Sequence, residues 1–193
     1  ALDYHERSFK ISEEIGDRYG MGLNLNNIGV VHDDKGDYDK ALDYHSRSLA
    51  IREEIGDKYE MGYSLISIGA VHSNKGDYNK ALDYLEKSLD IRKEIGVGAD
   101  ELLEATYSLY ITYKNLGKEY DEKEIHTLIK ETENIDYITN FSLYELLEDN
   151  IYLKTAYNQI QEKADAMEDE LKEKFLSYPI PKQIIEEYNK VFN

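Results

Sequence analysis

Histidines and carboxylates are the side chains of this chain best suited to chemistry, and both are spaced by a rule that works against it. An imidazole ligates metals and titrates near neutrality. His5 and His45 lie 40 residues apart, as do His32 and His72. No two of the five histidines fall three or four apart, as a zinc site on one helical face requires. The carboxylate pairs Glu13-Glu14 and Glu53-Glu54 also recur at 40. Adjacent helical residues point in different directions, so neither pair converges on one proton or one cation. There is no Asp-x-Asp-x-Asp-Gly calcium loop, no Gly-x-x-x-x-Gly-Lys phosphate loop and no Gly-x-Ser-x-Gly elbow, and the absence of cysteine removes a thiol nucleophile. The expectation is a chain with no catalytic residue, no metal site and no cofactor.

The spacing that argues against chemistry describes the elements. Residues 1–40 reappear as 41–80 with about two thirds identity, and a third copy begins at Ala81. In the middle copy Tyr59 to Lys75 and Tyr78 to Ile95 space their apolar residues three and four apart, which predicts two helices per unit. Gly-Asp pairs at 16–17, 36–37, 56–57 and 76–77 punctuate them. Gly29 and Gly69 in the first helix, and Ala41 and Ala81 in the second, mark places where two helix backbones approach. A helical glycine costs about 1 kcal/mol against alanine, so its recurrence calls for a packing reason. The tyrosines Tyr4, Tyr44 and Tyr84, and Tyr38 and Tyr78, are equivalent positions assigned to hairpin packing with the hydroxyl at the rim.

The run Leu25-x-x-Ile28-Gly29-x-x-His32, then Gly36-x-Tyr38-x-x-Ala41 and Ser48, resembles the tetratricopeptide repeat. It is repeated by Leu65, Ile68, Gly69, His72, Gly76, Tyr78, Ala81 and Ser88. The unit is longer than the usual repeat of this family and is similar to the long-repeat variety of kinesin light chains and bacterial signalling arrays. The resemblance implies an all-α fold, an α-α superhelix of antiparallel helical hairpins with a divergent C-terminal helical cap. Repeats are expected over 1–117, and a divergent repeat with capping helices over 118–193. Ala1 aligns with Ala41 and Ala81, which open second helices, so the first hairpin is expected to lack its leading helix. In the third unit Tyr110 replaces the packing glycine, and Lys118 to Glu124 breaks the Asp-Tyr-x-x-Ala pattern.

Ile135 to Leu147 and Ile151 to Met167 are predicted as a fourth hairpin. A short helix follows around Leu171 to Leu176, then a break forced by Pro179 and Pro181, then an amphipathic helix from Lys182 to Phe192. The stretch from Glu170 to Tyr188 resembles the tail that closes such arrays in nucleotide-cyclase, kinase and other multidomain signalling proteins.

The resemblance also implies a binding surface, because the first helix of each hairpin lines the inner wall of the superhelix. By position this wall comprises Asn26, Asn27, Val30, Asp33 and Asp34 in the first complete unit. Tyr63, Ile66, Ser67, Ala70, Ser73 and Asn74 follow in the second, and Tyr107, Ser108, Ile111 and Lys114 in the third. Asn26-Asn27 resembles the asparagines with which long-repeat arrays grip a peptide backbone, since an amide both donates and accepts. Ser67 and Ser108 replace the second asparagine, and Lys114 with two aspartates is a poor match to a carboxylate-binding groove. The implied partner is a protein or peptide with apolar anchors and some positive charge.

The net charge of −17, from 40 acidic against 23 basic residues, excludes nucleic acid and anionic membrane as natural partners. No apolar run spans a bilayer, and the lack of cysteine fits a reducing, cytoplasmic setting. A protein-interaction scaffold is the leading expectation. The alternatives are a regulatory or sensor segment of a larger cyclase- or kinase-like signalling enzyme, and a self-association module forming a homo-oligomer.

Overall fold

A computed structural model describes residues 2–192, so the alignment of Ala1 with Ala41 and Ala81 lies outside the described residues. Eleven helices and no strand occur among the described residues. The chain divides into two compact units, Ala1–Tyr120 and Asp121–Asn193.

The first unit holds α1 (Leu2–Ile15), α2 (Arg18–Asp33), α3 (Tyr38–Ile55), α4 (Lys58–Asn74), α5 (Tyr78–Ile95) and α6 (Ala99–Asn115). Each helix packs on the next, and α2 with α4, and α4 with α6, also touch. Neighbours in sequence are therefore neighbours in space, with the alternate helices side by side as one layer. The Gly-Asp pairs explain the sharp boundaries. Gly56 ends α3 in the left-handed region at φ +72°, open to a residue without Cβ. Asp57 then accepts from Glu60 N at 3.1 Å and caps α4.

The core of each hairpin is apolar where the pattern places it, with Leu25, Ile28, Leu65, Ile68, Leu85 and Leu89 buried. The glycines act differently from the backbone contact read from the sequence. A Cβ on Gly29 would stand 2.7 Å from the His45 ring, and one on Gly69 would stand 2.7 Å from Leu85 Cγ. The missing methyl makes room for a side chain of the facing helix, and the nearest backbone atom at Gly69, the Ala81 carbonyl oxygen, is 3.4 Å away.

The second unit holds α7 (Glu122–Glu131), α8 (Tyr137–Leu147), α9 (Asn150–Asp165), α10 (Asp169–Leu176) and α11 (Pro179–Phe192). Helices α8, α10 and α11 pack on α9 around Phe141, Leu153, Ala156, Ile160, Phe175 and Ile184. Tyr157 and Tyr188 stack with centroids 3.8 Å apart. Two departures from the sequence reading occur here. Helix α7 forms over residues read only as a loss of pattern, with Asp121 capping it through Lys123 N at 2.9 Å and Ile125 and Leu128 buried. The prolines do not break the chain at Lys182. They lie inside the first turn of α11, where a missing N–H has no helical acceptor to lose, and Lys182 N already donates to Tyr178 O at 3.0 Å.

Candidate protein-binding wall

Helices α2, α4 and α6, which carry the wall residues expected from the sequence, lie side by side, and cross-helix polar contacts link them. Asn74 Nδ2 donates to both carboxylate oxygens of Asp33, at 3.2 and 3.4 Å. Thr112 Oγ1 donates to Ser108 O at 3.0 Å, so the 3.4 Å contact with Ser73 is donated by the serine. Ser108 Oγ in turn donates to Glu104 O at 2.8 Å.

Most of the wall residues named from the sequence lie at least partly open. Val30, Asp34 and Asn74 are exposed, and Asn27, Asp33, Ser67, Ala70, Ser73, Tyr107, Ser108, Ile111 and Lys114 are half-buried. Three are committed to packing instead. Ile66 is only 8 % exposed and belongs to the core. Asn26 places its Oδ1 2.9 Å from His45 Nδ1, turning its amide into its own hairpin. Tyr63 lies against the Arg92 guanidinium at 4.2 Å, and its hydroxyl reaches Tyr59 Oη at 3.2 Å. An amide pair is legible as two asparagines, but only the fold decides that Asn26 faces α3 and Asn27 does not share its partner.

Electrostatics distinguish the α2 end of the wall. Burial pushes the Asp33 carboxyl above the usual carboxylate range, the Asn74 amide opposes this, and the neighbouring Asp34 charge adds to it. Burial raises Asp34 as well. Carboxyls pushed toward the neutral form gain from a nearby cation. The Tyr59 phenol is held protonated by its hydrogen bond with Tyr63, by burial and by donating to Glu101 at 3.1 Å.

Three of the five histidines, His32, His45 and His72, are packing groups. His32 and His72 stack on Tyr44 and Tyr84 with centroids 5.5 and 5.6 Å apart. His45 is buried against Gly29, and desolvation lowers its pKa to about 4. Among the described residues no group of three or more histidines or carboxylates could hold a metal ion, and no helix is long and apolar enough to cross a membrane.

Two features escaped the sequence reading. Leu23, the equivalent of Tyr63 one unit earlier, stands 40 % exposed on α2, and the 40-residue period was signal enough to find it. Arg52 and Arg92 are fully buried and pin each second helix to the following unit. Arg52 pairs with Asp57 at 3.3 Å and Glu60 at 3.1 Å, while Arg92 pairs with Glu104 at 3.1 Å and donates to Glu101 O at 2.6 Å. Arginine at helical spacing reads as surface in a sequence, because charge is almost never buried unless paired.

Stacked helical hairpins with alternate helices side by side in one layer define a helical-repeat array. The tetratricopeptide repeat profile matches residues 1–54 and 23–94. Residues 1–94 belong to the tetratricopeptide repeat family, whose repeats generally mediate protein–protein interactions and are typically non-catalytic. No curated protein matches the chain.

Proposed function

We propose that the α2–α4–α6 wall binds a segment of another protein, one with apolar anchors and positive charge. The supporting observation is a single face of α2. Asn27, Val30 and Asp34 follow one another at helical spacing three and four, so an amide, an exposed apolar side chain and an exposed carboxylate point the same way. An amide suits the backbone of an extended peptide, the valine an apolar side chain, and Asp33 with Asp34 a lysine or arginine. The companion layer offers Ser67, Ala70 and Asn74, small and polar enough to admit a second strand of contacts.

The test is affinity capture from native lysate with mass spectrometry. The chain is compared with an Asn27→Ala, Val30→Ser, Asp34→Asn variant of matched helicity. Val30 and Asp34 are exposed and Asn27 is half-buried, and the matched helicity controls for lost packing. A partner captured by the chain and lost by the variant supports the reading. A partner retained by the variant, or none at all, counts against it.

A further inference from the structure

Helix α1 leaves one face open. Tyr4, Ile11 and Ile15 are 75, 59 and 72 % exposed. With the exposed Ser8 they follow one another at spacing four, three and four, so they share one side of the helix. Scattered single apolar residues need no explanation, but a contiguous row does. The row is repeated 40 positions on, where Tyr44, His45, Ser48, Ile51 and Ile55 match Tyr4, His5, Ser8, Ile11 and Ile15 residue for residue. In α3 it is not open. Helix α2 packs against it, and His45, Ser48 and Ile51 are buried.

What covers a row of this kind is therefore written in the molecule. His32 stacks on Tyr44 with centroids 5.5 Å apart. The His45 Nδ1–H donates to Asn26 Oδ1 at 2.9 Å, and the missing methyl of Gly29 leaves the space that the His45 ring fills. Ser48 Oγ donates to the Gly22 carbonyl at 2.8 Å. The covering residues descend in number as the covered ones rise, so the two helices run antiparallel. The α4–α5 hairpin varies the theme in one respect. His72 stacks on Tyr84, Gly69 makes room for Leu85 and Ser88 donates to the Gly62 carbonyl, but Ile66 replaces the asparagine where Leu85 replaces the histidine. The amide accompanies the imidazole, and α1 carries the imidazole.

We propose that the open face of α1 docks a helix of a partner protein that carries Asn-x-x-Gly-x-x-His and runs antiparallel to α1. The histidine stacks on Tyr4, the glycine admits the His5 ring, the asparagine accepts from that ring, and Ser8 donates to the carbonyl four residues before the asparagine. A second copy of this chain is a poor occupant, because its own Asn26, Gly29 and His32 are engaged with α3. The site stands independently of the proposed wall, since α1 carries none of the wall residues.

The probe is a synthetic peptide with the sequence of residues 17–36, which as a helix is about 30 Å long and spans the whole row, titrated onto the whole chain by calorimetry. A Tyr4→Ser, Ile11→Ser variant, altered only at exposed side chains, should bind it about tenfold more weakly. A Gly29→Leu peptide is the better helix former, yet it should bind the parent chain about tenfold more weakly, because its side chain enters the space of His5. His5→Ala in the chain should recover that loss, and should make Asn26→Ala in the peptide silent. The proposal is overturned if the peptide does not bind. It is equally overturned if the peptide binds and neither the serine variant nor His5→Ala changes the response, since the peptide then sits on α3 or on the wall. A concentration-dependent dimer in sedimentation that the serine variant abolishes would overturn it too, by making a second copy the occupant.

Discussion

Asn26 Oδ1 lies 2.9 Å from His45 Nδ1 inside the α2–α3 hairpin, at the positions that Ile66 and Leu85 fill in the α4–α5 hairpin. One hairpin of the array thus carries a buried polar pair where its neighbour is apolar. His45 Nδ1–H donates to the Asn26 oxygen, and protonating the ring would place a charge on a side chain that is 1 % exposed.

That relationship predicts a pH dependence. Burial lowers the His45 pKa to about 4 from the ordinary 6.5, so between these values the unfolded chain binds the proton and the folded chain does not. Stability therefore falls as pH drops from about 6.5 toward about 4, with roughly 2 kcal/mol lost by about pH 5. The Asn26→Ile, His45→Leu double variant, which copies Ile66 and Leu85, should abolish most of the difference between urea midpoints at pH 7.5 and pH 5. An unchanged difference would place the titrating group elsewhere.

Gly69→Ala sets helix propensity against packing. The methyl gains about 1 kcal/mol as a helix former but would stand 2.7 Å from Leu85 Cγ, and Leu85 is itself buried. Overpacking at such a site costs about 1–3 kcal/mol, so a net loss of about 1 kcal/mol is expected in urea unfolding. Combining it with Leu85→Ala should cost less than the sum of the two single changes. Additive costs would mean that the two side chains do not meet.

The buried arginines predict a contrast between ion pairs. Glu104→Ala removes the carboxylate partner of the Arg92 guanidinium, whose side chain is 1 % exposed and keeps its bond to the Glu101 carbonyl, and should cost on the order of 2 kcal/mol. Lys58→Ala breaks an exposed pair with Glu94 and should cost under about 1 kcal/mol. Equal costs in matched thermal unfolding would contradict the burial of Arg92.

Ser88 Oγ donates to the Gly62 carbonyl at 2.8 Å, and Ser48 does the same to Gly22 one unit earlier. Both serines are fully buried. Ser88→Ala removes one neutral hydrogen bond and should cost about 1 kcal/mol, read as a shift of the urea midpoint. Ser88→Val adds bulk beside the Gly62 backbone and should cost more than alanine does. A valine variant as stable as the parent would mean that α4 and α5 are farther apart than the hydrogen bond requires.

Periodicity, turn chemistry and composition determined much of this protein without any fold in view. The 40-residue recurrence and the Gly-Asp punctuation placed α4 and α5 to within a residue, because amphipathic spacing and helix ends are local properties. The wall residues follow by position from the resemblance to the repeat family, and most of them lie at least partly open on α2, α4 and α6. What the tertiary structure decided is the use to which identical-looking residues are put. Asn26 and Asn27 are adjacent asparagines, yet one is turned onto His45 and the other is left toward the wall. Ile66 is core, Leu23 is surface, and Arg52 and Arg92 are buried pins instead of solvated charges. Each of those outcomes depends on which atoms of another helix stand opposite, a relation between residues 9 to 41 positions apart that no local pattern encodes.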